Sequence, residues 1–165
     1  MDGKKRLYGR CSAFVIIAVW VCGSCNQTIV YNEYQPIKNK IWEQSAEYSF
    51  VFDIKDNTMP YNVSLQIRHN DHYPYQNLWI LYELSHDSIV WKDTIECMLA
   101  DDFGKWKGKG LTLFQCQFNL RENYHFPDTG RYTVSIRHGM REEGLKGVED
   151  VGIVVESGRS PRGSR

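Results

Sequence analysis

Tyr61-Asn62-Val63-Ser64-Leu65-Gln66-Ile67-Arg68 decides the fold class. Tyr61, Val63, Leu65 and Ile67 alternate with Asn62, Ser64, Gln66 and Arg68. Successive side chains of a strand point to opposite faces, so this period of two puts one face on a core and the other in water. An antiparallel sheet with one wet face is the structure that uses such a pattern. The stretch before it behaves alike: Tyr48, Phe50 and Phe52 alternate with Ser49, Val51 and Asp53, and Asp56-Asn57-Thr58-Met59-Pro60 supplies the turn between the two strands.

Further along, His69 to Asn77 is a turn-rich loop, and Leu78-Trp79-Ile80-Leu81-Tyr82-Glu83-Leu84 is nearly continuous in apolar residues. Such a run predicts a central strand covered on both sides. Ser85 to Ser88 turns the chain into a strand from Ile89 to Leu99. Asp101 to Gly110, with three glycines, is a long loop before a strand over 111–120. Pro127-Asp128-Thr129-Gly130 turns into Arg131–Arg137, Gly139–Gly144 is polar with the length of one helical turn, and Val148–Val155 is the last strand. Short strands separated by turn signals, with no amphipathic helix, predict an all-β fold: an antiparallel β-sandwich, jelly-roll or Ig-like, of about seven to eight strands over residues 45–156. Residues 157–165 contain no large apolar side chain and are expected as a disordered tail.

The start of the chain has a different logic. Lys4, Lys5, Arg6 and Arg10 precede an apolar run of about a dozen residues, short of the ~20 that a spanning helix needs. The run ends at Gly23-Ser24-Cys25, and a basic start, a short apolar core and small residues before the cut make a secretory signal over 1–24. Small-small-Cys resembles the bacterial lipobox, in which the cysteine is acylated and becomes the new N-terminus. Cys22 departs from the resemblance, standing where leucine is usual. Cys25 is therefore the expected lipidation site, and residues 25–44, which include Pro36 and the polar Lys38-Asn39-Lys40, are expected as a lipid-anchored tether.

Once the signal is removed, 16 basic side chains stand against 19 acidic ones, a net charge of about −3 on about 140 residues. That length fits one core, and the charge argues against nucleic acid, which selects a basic stripe. Cys97 and Cys116 remain, either as a disulfide of an exported protein or as buried thiols. His69, Asp71 and His72 include two of the side chains that ligate metals but lack a third ligand nearby, so no metal is expected. No Ser-His-Asp or Cys-His arrangement stands out, and Asp101-Asp102 fits a turn or calcium role better than acid–base catalysis. No enzyme activity and no cofactor are expected. Tyr73, Tyr75 and Trp106 are candidate binding-loop residues, with aromatic faces suited to a glycan or, for Trp106 between lysines, to a lipid headgroup surface. Asp87-Ser88-Ile89 and Asp93-Thr94-Ile95 resemble the O-glycosylation sequon of exported Bacteroidetes proteins, which makes Ser88 and Thr94 candidate modification sites.

The order of features resembles one family, the gliding-motility lipoprotein GldH of Bacteroidetes. The resemblance is carried by Cys25, by Arg68 followed by Tyr73-Pro74-Tyr75-x-Asn77-Leu78-Trp79, and by Asp93-Thr94 with Leu99. It continues through Gly104-x-Trp106-x-Gly108-x-Gly110, Phe126-x3-Gly130-x-Tyr132, Met140-Arg141 with Leu145-x-Gly147-Val148, and Asp150-Val151-Gly152. It implies an outer-membrane lipoprotein associated with the gliding apparatus and the linked type IX secretion system, or with envelope assembly, and partnered by other envelope proteins. It brings no catalytic residues. The acidic cluster expected directly after the cysteine of a surface-exported lipoprotein is missing until Glu33, so the periplasmic leaflet is expected over the cell surface. The competing expectation is a carbohydrate-binding β-sandwich lipoprotein.

Overall fold

The computed structural model describes residues 28–158. Ten strands occur in this range: β1 (Thr28–Pro36), β2 (Ile41–Glu43), β3 (Tyr48–Ile54), β4 (Tyr61–Asn70), β5 (Asn77–His86), β6 (Ile89–Met98), β7 (Leu113–Tyr124), β8 (Gly130–His138), β9 (Gly144–Lys146) and β10 (Val148–Ser157). The eight long strands form two antiparallel sheets, ordered β1-β10-β4-β7 and β3-β8-β5-β6, and β2 pairs with β9 as a short flap. Along the chain the long strands change sheet at every step except the β5–β6 hairpin. Of the two sandwich classes expected, this interlocked order is the jelly roll.

Alternation explains the core. Val63, Leu65 and Ile67 of β4 and Val151, Ile153 and Val155 of β10 face Phe50, Phe52, Ile80, Leu84, Val134 and Ile136 of the other sheet, all buried. Phe126 sits among Phe52, Tyr61, Tyr124 and Tyr132 with centroid separations of 4.5 to 6.1 Å, mostly edge-on, the arrangement that ring quadrupoles favour. Trp42 on β2 is fully buried beside Leu145 of β9, and its indole N–H donates to the Ala46 carbonyl at 3.2 Å.

Several expectations are corrected. Residues 28–43 are not a tether: β1 pairs with β10 over Thr28–Pro36, and β2 follows a single 3-10 turn at Lys38–Lys40. A bulge between Ile29 and Tyr31 shifts the register of β1, and most of its side chains are exposed, which erases the period of two. The strands number ten, because the two-strand flap is too short to leave a pattern. Gly139–Glu143 forms no helical turn. β5 is central but not covered on both sides: Leu78, Ile80, Tyr82 and Leu84 point inward, while Trp79 and Leu81 stand about two-fifths exposed. The expected wet face of β4 is partly covered as well. Gly152 of the neighbouring strand lets the Tyr34 ring lie over the sheet, Arg68 stacks on that ring at 3.7 Å, and Ser64 and Gln66 are buried.

The registers define two ends of the sandwich. Thr28, Ser157, Tyr61 and Tyr124 are side by side at one end, joined by short loops to Ile54 and Gly130 of the second sheet. Asn70 and Leu113 mark the other, where residues 71–76, 99–112 and 139–143 gather around Asn77 and Met98.

Candidate functional site

Most of the chemistry-bearing side chains picked out from the sequence meet at the Asn70 end. His69 is the last inward residue of β4 and is fully buried. The rings of Trp106, Phe114 and Tyr73 surround it at centroid distances of 4.7, 5.5 and 5.8 Å. Its Nδ1 lies 3.1 Å from the Asn70 carbonyl, which makes Nδ1 the protonated, donating nitrogen, and its Nε2 is buried without a partner. Burial holds the His69 pKa below the ordinary histidine value, so the ring is neutral. Tyr73 is only 3% exposed and donates its hydroxyl to the Asn77 carbonyl at 2.8 Å. Gly147 packs its backbone on Tyr73: at φ +88°, a Cβ there would sit 2.5 Å from the Tyr73 Cα.

This cluster supports the loop of residues 99–112 from beneath. Ala100 bridges to Trp106 and Lys109 to Gln115. The Asp101 carboxylate accepts the N–H groups of Phe103 and Lys105 at 3.0 and 2.9 Å, so Asp101 shapes a turn instead of pairing with Asp102. With its backbone fixed, the loop turns Trp106 inward and holds Phe103 and Leu111 outward, 96% and 94% exposed.

Beside the loop is an open groove of about 500 Å³ lined by Tyr75, Asn77, Trp79, Gly139, Met140, Arg141 and Glu142. The Gly139 N–H donates to the Trp79 carbonyl at 2.7 Å, and the Trp79 N–H reaches Met140 Sδ at 3.4 Å. Tyr75 donates its hydroxyl to Glu142 at 2.7 Å, and this bond raises the Tyr75 pKa. The lining mixes apolar Trp79 and Met140 with polar Asn77, Arg141 and Glu142 and contains no nucleophile–base pair.

The candidate residues thus fare differently. Tyr73, Tyr75 and Trp106 do come together, with Tyr73 centroids 6.0 and 6.5 Å from the other two. They are not a stacking platform, because Tyr73 is buried and Trp106 is half-buried against His69 and Phe114. His69 and His72 separate, the first into the core and the second to solvent beside Asp71 at 3.0 Å. Among the described residues no group of three or more His, Cys, Asp or Glu side chains is placed to hold a metal. Cys97 and Cys116 are both buried and unbridged in this structure, the buried-thiol alternative. Cys97 is on β6 and Cys116 on β7, the edges of different sheets. Burial pushes the Cys97 thiol up to about 12. Ser88 is exposed in the β5–β6 hairpin turn and Thr94 is exposed on the edge strand β6. Cys25 lies outside the described residues. Trp79 is marked in the sequence only by the apolar run and the family resemblance, Met140 only by the resemblance, Leu111 only as the start of a strand expected over 111–120 that begins at Leu113, and Phe103 not at all. Strict alternation applied to β5 would have exposed Trp79; Leu111 shares the alternation of Leu113 and Gln115 but lies ahead of the strand, and Phe103 carries no periodic signal.

Comparison with known proteins gives a consistent picture. A family model described as GldH lipoprotein matches residues 29–155. A protein named gliding motility lipoprotein GldH homolog, from Christiangramia forsetii, is 32% identical over 155 residues, covering 88% of this chain and 94% of its own. The gliding motility lipoprotein GldH of Flavobacterium johnsoniae is 29% identical over 154 residues, covering 88% and 95%. Among solved structures, the infectious bursal disease virus VP2 subviral particle aligns at TM-score 0.37 and 12% identity over 82% of this chain and 32% of the viral one, too loosely to carry an argument.

Proposed function

The chain belongs to the GldH lipoprotein family, and from that premise we propose that it is a lipid-anchored, non-enzymatic component of the gliding motility and type IX secretion machinery, or of the envelope assembly linked to it. Cys25 takes the acyl chains, and the jelly roll works at the periplasmic leaflet of the outer membrane. The observation that carries this reading is the boundary Gly23-Ser24-Cys25, which falls directly ahead of the jelly-roll domain that the family model matches. More than one acyl chain on the cysteine gives the stable attachment that a single chain lacks.

In this reading the anchor is short. Only Asn26 and Gln27 separate Cys25 from the first strand residue, Thr28. Three residues span at most about 11 Å, so a lipidated Cys25 holds the Thr28 end of the sandwich against the bilayer with no long spacer. β1 is nine residues long, and at about 3.3 Å per residue the Asn70 end stands roughly 30 Å away from that end. The segments Tyr73–Trp79, Gly104–Gly110 and Met140–Val148, all among those that carry the family resemblance, lie toward the Asn70 end. In the producing bacterium, Cys25→Ala is expected to leave the domain folded while losing its outer-membrane fractionation, together with secretion or colony spreading. Normal secretion and spreading from a strain carrying only that variant would reject the anchor-dependent reading.

A further inference from the structure

We infer that the loop of residues 99–112 docks on an acidic protein surface containing an apolar pocket, with Phe103 and Leu111 entering the pocket and Lys105, Lys107 and Lys109 pairing with carboxylates around it. This inference rests on the anchored-lipoprotein reading and adds the contact face and the chemistry of the partner.

Three features of the loop lead there. First, Phe103 and Leu111 are 96% and 94% exposed, well beyond the 40% of Trp79. Two large apolar side chains held almost fully in water on one ordered loop are available to anchor a partner. Second, the exposure is built in. Asp101 ties down the Phe103 and Lys105 amides, the Gly104 N–H donates to the Asp101 carbonyl at 2.9 Å, and the paired Lys109 and Gln115 exchange two backbone bonds at 2.9 and 3.0 Å. The loop also has an apolar support in the His69–Trp106–Phe114 cluster, yet it sends Trp106 into that support and not Phe103 or Leu111. Third, the three lysines of the loop make no ion pair among the described residues, whereas Lys40 and Lys92 elsewhere do. Asp101 and Asp102 stand in the same loop, but the Asp101 carboxylate is engaged by backbone amides, so three unpaired lysines against two carboxylates leave an excess of positive charge that steers a partner of opposite charge.

An anionic membrane would satisfy the same chemistry, but position argues against it. The loop is at the Asn70 end, about a strand length from Thr28, the residue the anchor holds near its bilayer. A protein reaching toward the lipoprotein is the occupant this placement favours.

The test uses the full-length lipidated chain in its native membranes, treated with a carbodiimide that condenses a lysine amine with a carboxylate into an amide while itself taking up the water. The expected product joins Lys105, Lys107 or Lys109 to an Asp or Glu of another envelope protein. Two lost apolar contacts are worth enough to weaken the complex at least about tenfold. The double variant Phe103→Ser/Leu111→Ser, which keeps every lysine and an unchanged thermal midpoint, should therefore lower the adduct yield by that factor. Added salt should lower it too. An unchanged yield in the double variant overturns the proposal. So does a chain carrying benzoylphenylalanine at position 103 that photolabels phospholipid in place of protein. If Cys25→Ala still fractionates with the outer membrane, the anchor reading fails alone, and the dependence of the adducts on Phe103 and Leu111 still decides the docking surface.

Discussion

His69 is a base caged by three aromatic rings, with one nitrogen on a carbonyl and the other unpartnered. His138 is its counterpart under the flap: buried, its Nε2 donating to the Trp42 carbonyl at 2.9 Å and its ring edge-on to the indole. Burial lowers both pKa values from the ordinary 6.5. The unfolded chain therefore binds more protons than the fold once pH drops below that value, and stability contributed by the neutral rings is lost as pH falls further. The thermal midpoint should be level in the upper part of a scan between about pH 5 and 8 and decline below pH 6.5, with a shallower decline in His69→Phe. A midpoint independent of pH would refute the neutral, buried assignment. Trp42 gives a test of packing at the same scale. Trp42→Ala removes a fully buried indole from Tyr48, His138 and Leu145 and should cost about 3–5 kcal/mol in urea denaturation. Cys97 and Cys116, protonated and buried, should resist alkylation in the native protein and react on unfolding. A native mass two hydrogens short would restore the disulfide.

At the scale of elements, the N-terminal strand is the least expected part of the fold and the most consequential. β1 covers one edge of β10, and Gly152 is where the two come closest: a Cβ there would meet the Glu33 carbonyl at 2.7 Å and the Tyr34 ring at 2.8 Å. Gly152→Ala must displace the strand and should destabilise by about 1–3 kcal/mol, seen as a lower denaturant midpoint. Equal stability would mean that β1 adapts freely. Tyr34 and Arg68 show why this strand is hard to foresee, since its contacts are made by polar and aromatic groups lying over a neighbour's glycine. By contrast β3, β4, β7 and β8 were legible from alternation, because each has one face in the core and its register cannot slip by one residue without exposing that face, whereas β10 was legible as an apolar run and is buried on both faces over residues 151–155. β5 was legible as a strand but not in its burial: an apolar run says nothing about which of its members lack a covering layer, and Trp79 and Leu81 lack one.

For the whole molecule, the question is orientation. If Cys25 carries the lipid as proposed, the short link to Thr28 keeps the Thr28 end near the bilayer and leaves the loops of residues 71–76, 99–112 and 139–143 at the other end. Inserting about ten flexible Gly/Ser residues after Gln27 would add a coil of roughly 15–20 Å end to end. It should preserve folding and lipidation while lowering secretion or spreading. Full activity in the insertion strain would show that direct seating is unnecessary. The sequence by itself determined the all-β class, most strand positions and the family, because these depend on local periodicity, on turn chemistry and on the order of short motifs. The tertiary structure alone decided that residues 28–43 join the sheets and that Tyr73 and Trp106 are supports and not contacts. It also left Phe103 and Leu111 in water. Each of these is a matter of what covers a side chain, and covering is supplied by residues distant in the chain, which no local pattern records.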